Sequence, residues 1–322
     1  MLAPREKTPF RGAGSVRLRD MALFMDKALA RRLERTEAAI NASFIDARIE
    51  MLRAAMTADY PEVAGAPPSS PDIFTAPPTA EEIASALGWR DFNGTYAMFD
   101  GVDSPMTQTF GLGLFEPTCA GDLAAIEAYY REWQSPVLHE VSPLAGAETF
   151  ALLSERGYRP VELSTVLAQP IDDTLVLPAV SQALTVRIVG PDELTEWTET
   201  SVLGWALEPE QADHIRSIAQ VAFLNPAVTS FFVEVNGRPI ATGSLGAHEG
   251  VALLAGASTV PGARGRGAQQ ALLAARLAEA RRRGCDVAMM AAEPGSTSQR
   301  NAERNGFRVA YTRMKWKLAA ET

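Results

Sequence analysis

From Pro261 to Gln269 the chain reads Pro-Gly-Ala-Arg-Gly-Arg-Gly-Ala-Gln, with glycines at 262, 265 and 267 and arginines at 264 and 266. It lies between an apolar run and an Ala/Leu-rich one. Glycine takes up positive φ without steric penalty and lets a backbone approach a ligand closely. A helix beginning near Gln269 adds unpaired N–H groups and the positive end of its dipole. Strand, Gly-rich turn and helix together form an anion cradle suited to a phosphate or pyrophosphate. Arg264 and Arg266 are in position to add charge-assisted contacts to the same group. The loop is not a Walker loop, lacking Gly-Lys-Ser/Thr, and not a dinucleotide fingerprint, lacking GxGxxG. Taken alone it also fits an ordinary βα connection with surface arginines. Cys119 and Cys285 have no CxxC and no His beside them, which predicts no structural zinc, no other metal site and no thiol nucleophile. Two such cysteines fit a reducing, cytoplasmic setting.

The elements that would hold this loop follow from patterning. With 47% apolar and 21% charged residues over 322, the chain can bury a core and has the length of two domains. No window approaches the roughly 18 apolar residues of a membrane span, and the arginines from Arg5 to Arg19 flank no apolar signal core. The net charge of −9 argues against nucleic acid as the main partner and tolerates a small cationic substrate. Asp20 to Met56 reads as an amphipathic helix, either continuous or broken near Asn41–Ser43. Tyr60 to Pro78 is Pro/Ala/Ser-rich and reads as a linker. A short helix (80–87), strands at 96–99 and 106–115, a helix (122–133), a strand (137–141), a helix (145–156) and a strand (161–167) follow, an alternating α/β order. The segment 169–183 carries Pro170 and Pro178, and the boundary between two domains, 1–172 and 183–322, is drawn there. The second half reads βααβββαβαβ, its hairpin marked by Asn236-Gly237. Trp197, Trp205, Phe223, Phe231 and Phe232 read as core or pocket wall.

An internal repeat underlies the two halves. Leu123 to Arg159 aligns with Leu277 to Arg308, each giving helix, strand, Pro, helix, Gly-aromatic-Arg and strand. The Gly-aromatic pairs are offset by 149 residues (157 to 306) and the prolines by 151 (143 to 294). Duplication of one unit explains this better than convergence on a common αβαβ pattern.

Arg264-x-x-Gly267 after an apolar strand and Pro261, followed by an Ala/Leu-rich helix, a strand and the closing Gly306-Phe307, resembles the GNAT superfamily of acyl-CoA-dependent N-acyltransferases. The resemblance runs from about Leu184 to Leu318. It implies an α/β (α+β) fold of two GNAT-like domains, each a mixed, mostly antiparallel central sheet flanked by helices, with a degenerate first copy. It also implies acetyl-CoA as co-substrate. The pyrophosphate would lie on Arg264, Gly265, Arg266, Gly267, Ala268 and Gln269. The pantetheine arm would pair with Ala257, Ser258, Thr259 and Val260, and Asn301 would reach the arm or the sulfur region. Gln269 departs from the family's Gly or Ala there. The family's Asn-x-x-Ala-x-x-x-Tyr also fails: Gly295, Ser298 and Ala302 stand in its positions, so the usual Tyr acid is absent. A thiol, with pKa about 8.5, leaves more readily than an alkoxide and needs that acid less. In the first copy, Phe115 to Asp122 holds one glycine, no arginine and the acids Glu116 and Asp122. That stretch predicts no CoA site and a supporting role for the first half.

The implied reaction is attack of a neutral amine on the thioester, for which a base is needed because alkyl amines are protonated at pH 7. Glu249 is the candidate base and Tyr311 the candidate acid, with His248, Glu293, His139 and Glu140 at other strand ends. The implied function is acetyl transfer to a primary amine of a small molecule by a monomer or homodimer. The alternatives are a non-catalytic acyl-CoA-binding or regulatory protein and a protein N-acetyltransferase.

Overall fold

The computed structural model describes residues 25–57, 80–102, 104–205, 208 and 211–319; the expected linker at 60–78 and the arginines before Met25 lie outside them. Helix α1 (Lys27–Thr57) is continuous. Its polar residues at 41–43 do not break it, because Ser43 Oγ bonds Asn225 Oδ1 at 2.7 Å and Asn225 Nδ2 donates to the Ile40 carbonyl at 3.4 Å. Then come α2 (Ala80–Ala86), β1 (Gly88–Phe92), β2 (Thr95–Phe99), β3 (Thr109–Phe110), α3 (Ala120–Arg131), β4 (Leu138–Val141), α4 (Ala147–Glu155) and β5 (Tyr158–Pro170). The second half contains β6 (Thr185–Ile188), α5 (Leu194–Trp205), α6 (Ala212–Leu224), β7 (Val228–Val235), β8 (Arg238–His248), β9 (Val251–Thr259), α7 (Ala268–Arg282), β10 (Val287–Ala292), α8 (Thr297–Arg304) and β11 (Arg308–Leu318). Its order is the βααβββαβαβ expected. The first half differs in two places. β1 pairs with β2 through Asn93-Gly94, both at positive φ. The strand expected over 106–115 shrinks to Thr109–Phe110, because Gly111 and Gly113 turn the chain at positive φ.

All these strands join one sheet in the order β1-β2-β3-β4-β11-β5-β10-β9-β8-β7-β6. Pairing is antiparallel except for β3 with β4 and β9 with β10. These are the two pairs joined by helical crossovers, α3 and α7, as parallel neighbours require. The repeat is therefore visible as β3-α3-β4-α4-β5 and β9-α7-β10-α8-β11. Instead of two separate sheets, the halves trade their last strands: β5 pairs with β10 of the other half, and β11 pairs with β4.

Alternation along the strands builds a layer on each face. Leu254 joins Phe231, Val233, Ala241, Leu245 and Ala252 under Leu272, Leu277 and Ala280 of α7. Leu253, its neighbour, joins Val251, Val287, Met289 and Val166 under Leu29 and Leu33 of α1. α1 also seals a buried ion cluster, in which Arg313 of β11 meets Glu34 (3.4 Å), Glu37 (2.7 Å) and Glu140 (3.3 Å). Among the described residues no helix is long and apolar enough to cross a membrane.

Candidate active site

β9 and β10 are hydrogen-bonded only from Val251 to Leu253 and from Val287 to Met289. Beyond that point they part. The reason lies on the other edge of β9, where Gly256 and Ala257 stand opposite the single residue Gly243 of β8. An extra residue in one strand bends it and strengthens its twist, and Gly256 takes φ +60° to make the bulge. The opening is a cleft of about 930 Å³. Its first wall is β9 from Leu254 to Thr259, and its second is Met290 and Ala291 with Ser298, Asn301 and Ala302 of α8. Every residue lining it lies between Gly204 and Asn305.

At the wide end the cleft meets the Gly-rich loop. Gly265 and Gly267 are both left-handed, at φ +75° and +84°. Gly267 is the N-cap of α7, and no side chain bonds the first-turn amides, so a 15-residue helix presents its positive end uncapped. Ala268 and Gln269 line the cleft. Gln269 turns back, its Nε2 donating to Thr259 Oγ1 at 2.8 Å, which holds the amide along the wall. Arg264 also serves the framework: it donates to the Thr259 carbonyl (3.2 Å) and the Gly204 carbonyl (3.1 Å). One guanidinium thereby ties the end of β9 to the C-terminus of α5, where a cation suits the dipole. A hydroxyl chain continues the tie, with Thr242 Oγ1 at 3.0 Å from both Ser201 Oγ and Ser258 Oγ.

The narrow end holds a residue that sequence reasoning missed. Arg276, on the third turn of α7, is 2% exposed, and burial pushes its pKa down to about 10. The spacing 272, 276, 280 puts it on the buried stripe with Leu272 and Ala280, so a cation on an apolar stripe was the signal available. Trp205 also lines the cleft.

Of the residues singled out from sequence, Ala257, Ser258, Thr259, Arg264, Gly265, Gly267, Ala268, Gln269 and Asn301 come together here. Val260 and Arg266 adjoin the cleft in sequence but are not among its lining residues. The candidate acid and base are elsewhere. Glu249 sits in the β8–β9 turn at the paired end of β9, 71% exposed, with His248 Nε2 at 3.8 Å. Tyr311 is buried under α1, its hydroxyl donating to Glu34 at 2.7 Å; burial and that carboxylate hold its pKa well above the usual range, which makes it a poor acid. Glu293 is exposed outside the lining. His139 is buried on β4, its Nδ1 2.7 Å from Thr109 Oγ1, and burial lowers its pKa to about 3. Glu140 is paired with Arg313 and Lys315.

The corresponding place in the first half is closed. Leu112 and Leu114 from the segment after β3 are buried in the core. The start of α3 is capped by its own acid: Asp122 accepts the Cys119 N–H at 3.0 Å, and the Asp122 N–H meets Cys119 Sγ at 3.4 Å. A carboxylate already answers that helix dipole.

Comparison with known proteins agrees with this geometry. The acetyltransferase (GNAT) family model matches residues 192–307. A GCN5-related N-acetyltransferase from Kribbella flavida is similar in fold, with TM-score 0.54 and 19% identity over 75% of this chain and 93% of its own. A tandem GNAT protein from the clavulanic acid biosynthesis pathway gives TM-score 0.51 and 12% identity over 88% of this chain and 96% of its own. No curated protein matches the sequence. Residues 192–307 carry the GNAT acetyltransferase domain that the family model describes, and the similar solved structures share its fold.

Proposed function

We propose that the chain transfers the acetyl group of acetyl-CoA to a primary amine of a small molecule, by direct attack of the neutral amine on the thioester. The observation that carries this reading is the continuity of the cleft: the parted edges of β9 and β10 lead straight to the uncapped N-terminus of α7 at Gly267. The amides from Gly265 to Gln269 take the pyrophosphate, by hydrogen bonds and the helix dipole. The free edge of β9 from Ala257 to Thr259 pairs with the pantetheine arm. The amides at the bulge polarise the thioester carbonyl as an oxyanion hole does. The first half, with its leucine-filled and acid-capped counterpart, is a degenerate copy in a tandem arrangement and supports the second. Because no carboxylate or imidazole lines the cleft among the described residues, the amine loses its proton to water or to a group the acceptor brings.

A second reading keeps the cleft and drops the chemistry. Ala302, buried at the position where the family resemblance puts a tyrosine acid, favours a protein that binds acyl-CoA as a signal.

Calorimetric titration with acetyl-CoA, alone and followed by thiol release in an amine panel, tests both. Wild type is expected to bind, and Gly267→Glu to lose binding by at least about 100-fold, since it puts a carboxylate at the helix start in a backbone that glycine alone adopts easily. Thiol release with any amine separates enzyme from sensor. Absence of acetyl-CoA binding by wild type overturns both readings.

A further inference from the structure

Among the described residues two guanidinium groups are almost fully buried, those of Arg276 and Arg313, and they are treated differently. Arg313 meets three carboxylates. Arg276 meets none. Its Nε donates to the Leu272 carbonyl at 3.3 Å, and its Nη1 to the carbonyls of Ser244 (3.2 Å) and Ala255 (3.3 Å). All three of these bonds come from Nε and Nη1. Glu279, one turn further along α7, has its carboxylate engaged by Arg282 and Arg283. A charge removed from water without a counter-ion is strongly unfavourable, and folded proteins pair such groups or leave them for a ligand.

Arg276 lines the cleft. It stands nine residues down α7 from Gly267, about 13 Å at 1.5 Å per residue, so an anion held at the helix start is out of its reach. Its partner Ala255 is the last residue of β9 before the bulge, level with the point where β9 and β10 part. The surrounding lining, Leu254, Leu273, Met290 and Ala302, offers no acid.

We propose that Arg276 is an anion-reading position at the narrow end of the cleft, set against negative charge on the acyl end of a CoA thioester. This rests on the acyl-CoA reading of the cleft. Attack by the amine forms the C–N bond and moves the carbonyl pair onto oxygen; collapse breaks the C–S bond, the pair leaves on sulfur, and the amine proton passes to water. Arg276 keeps its own proton throughout and acts by charge on the oxyanion and departing thiolate, where the tyrosine acid of the family pattern is missing at Ala302. A carboxylate on the acyl group itself is the second source of the same charge.

Binding of S-carboxymethyl-CoA and its neutral isostere S-carboxamidomethyl-CoA to the full chain tests this without an acceptor. Wild type is expected to prefer the carboxylate by about tenfold or more. Arg276→Met is expected to lose the preference, while its affinity for CoA itself stays within about threefold, which also shows that it folds. Arg276→Lys keeps part of the preference, and decides the matter if the Met variant is unfolded by circular dichroism. Malonyl-CoA beside acetyl-CoA separates the sources: tighter malonyl-CoA puts the charge on the acyl group, and equal affinities put it on the oxyanion. Equal affinity of wild type for the two S-alkyl analogues, or a preference that survives in the Met variant, overturns the proposal. Failure of wild type to bind even CoA overturns the reading of the cleft instead.

Discussion

Single side chains carry their meaning here through burial more than through type. Tyr311 and Glu34 look like an acid and a base, yet they meet in the buried seam between β11 and α1, where burial raises Glu34 to about 7 against the pull of Arg313. The charged groups facing it are Arg313, Glu37 and Glu140, and Tyr311 donates to it. A carboxyl whose folded pKa exceeds its unfolded value of 4.5 binds more protons folded than unfolded between the two. Its contribution is therefore fully present below about pH 4.5 and is lost as pH rises through about 7. Glu34→Gln, which mimics the protonated form and still accepts from Tyr311, is expected to flatten the fall in stability across this window by a few kcal/mol at most. Urea midpoints at pH 5 and pH 8 measure it, and an unchanged slope refutes the assignment. Burial is also what the sequence hid. Tyr311 is reasonable by type and strand position, but which face of β11 α1 covers is a tertiary fact; Glu249 lies instead in the exposed turn at the paired end of β9. Arg276 was legible only as a charge on an apolar stripe, a pattern that surface arginines at helix ends dilute.

At the scale of elements, the close approach of α5 to β9 sets the width of the cleft mouth. Gly204 allows it: a methyl there would collide with the Ser258 side chain and lie 3.1 Å from the Thr259 amide. Two effects oppose each other in Gly204→Ala. Helix propensity alone favours alanine over glycine by about 1 kcal/mol. Overpacking against backbone works the other way by about 1–3 kcal/mol, and the backbone contact decides the sign. The variant is expected to melt lower by a few degrees and, because Arg264 bonds both Gly204 and Thr259, to weaken acetyl-CoA binding as β9 shifts. A higher melting temperature would show that α5 can back away. Elements like these were largely readable where periodicity is long or a turn is explicit: the second half follows its pattern, and Asn236-Gly237 marks its hairpin. The same dipeptide at Asn93-Gly94 marks β1 and β2, but the strand before it, Gly-Trp-Arg-Asp-Phe, is mostly exposed and lacks an alternating face. β3 fell short of its apolar run because Gly111 and Gly113 turn it, and the leucines between and after them fill the core from a loop.

The whole molecule departs from its sequence pattern in one respect, the exchange of last strands, and no local signal could announce it. Each half by itself spells a complete order of strands and helices, and either β5 or β11 satisfies the pattern next to β10. What selects the exchange is long-range: β5 pairs with β10 from Thr165 to Pro170 and with β11 along nearly its whole length, and Arg313 of β11 reaches Glu140 of β4 and Glu34 of α1. The segment 171–184 between β5 and β6 is therefore a connection in the chain but not a division of the sheet. A fragment of residues 183–322 would leave the edge of β10 unpaired beside the cleft and strip β11 of both its neighbours. Unpaired inner edges and an orphaned strand on the scale of these ladders exceed the margin of about 5–15 kcal/mol on which domains stand. The fragment is expected not to fold as a monomer, and to recover acetyl-CoA binding when refolded with residues 1–182, which return β5. Because β5 and β11 close the same β-α-β-α-β order in the two halves, the soluble form open to the fragment alone is a dimer in which each copy lends β11 to the place of β5. Sedimentation with amide NMR distinguishes the cases: a well-dispersed monomer of 183–322 that binds acetyl-CoA as tightly as the full chain would show that the exchange is dispensable.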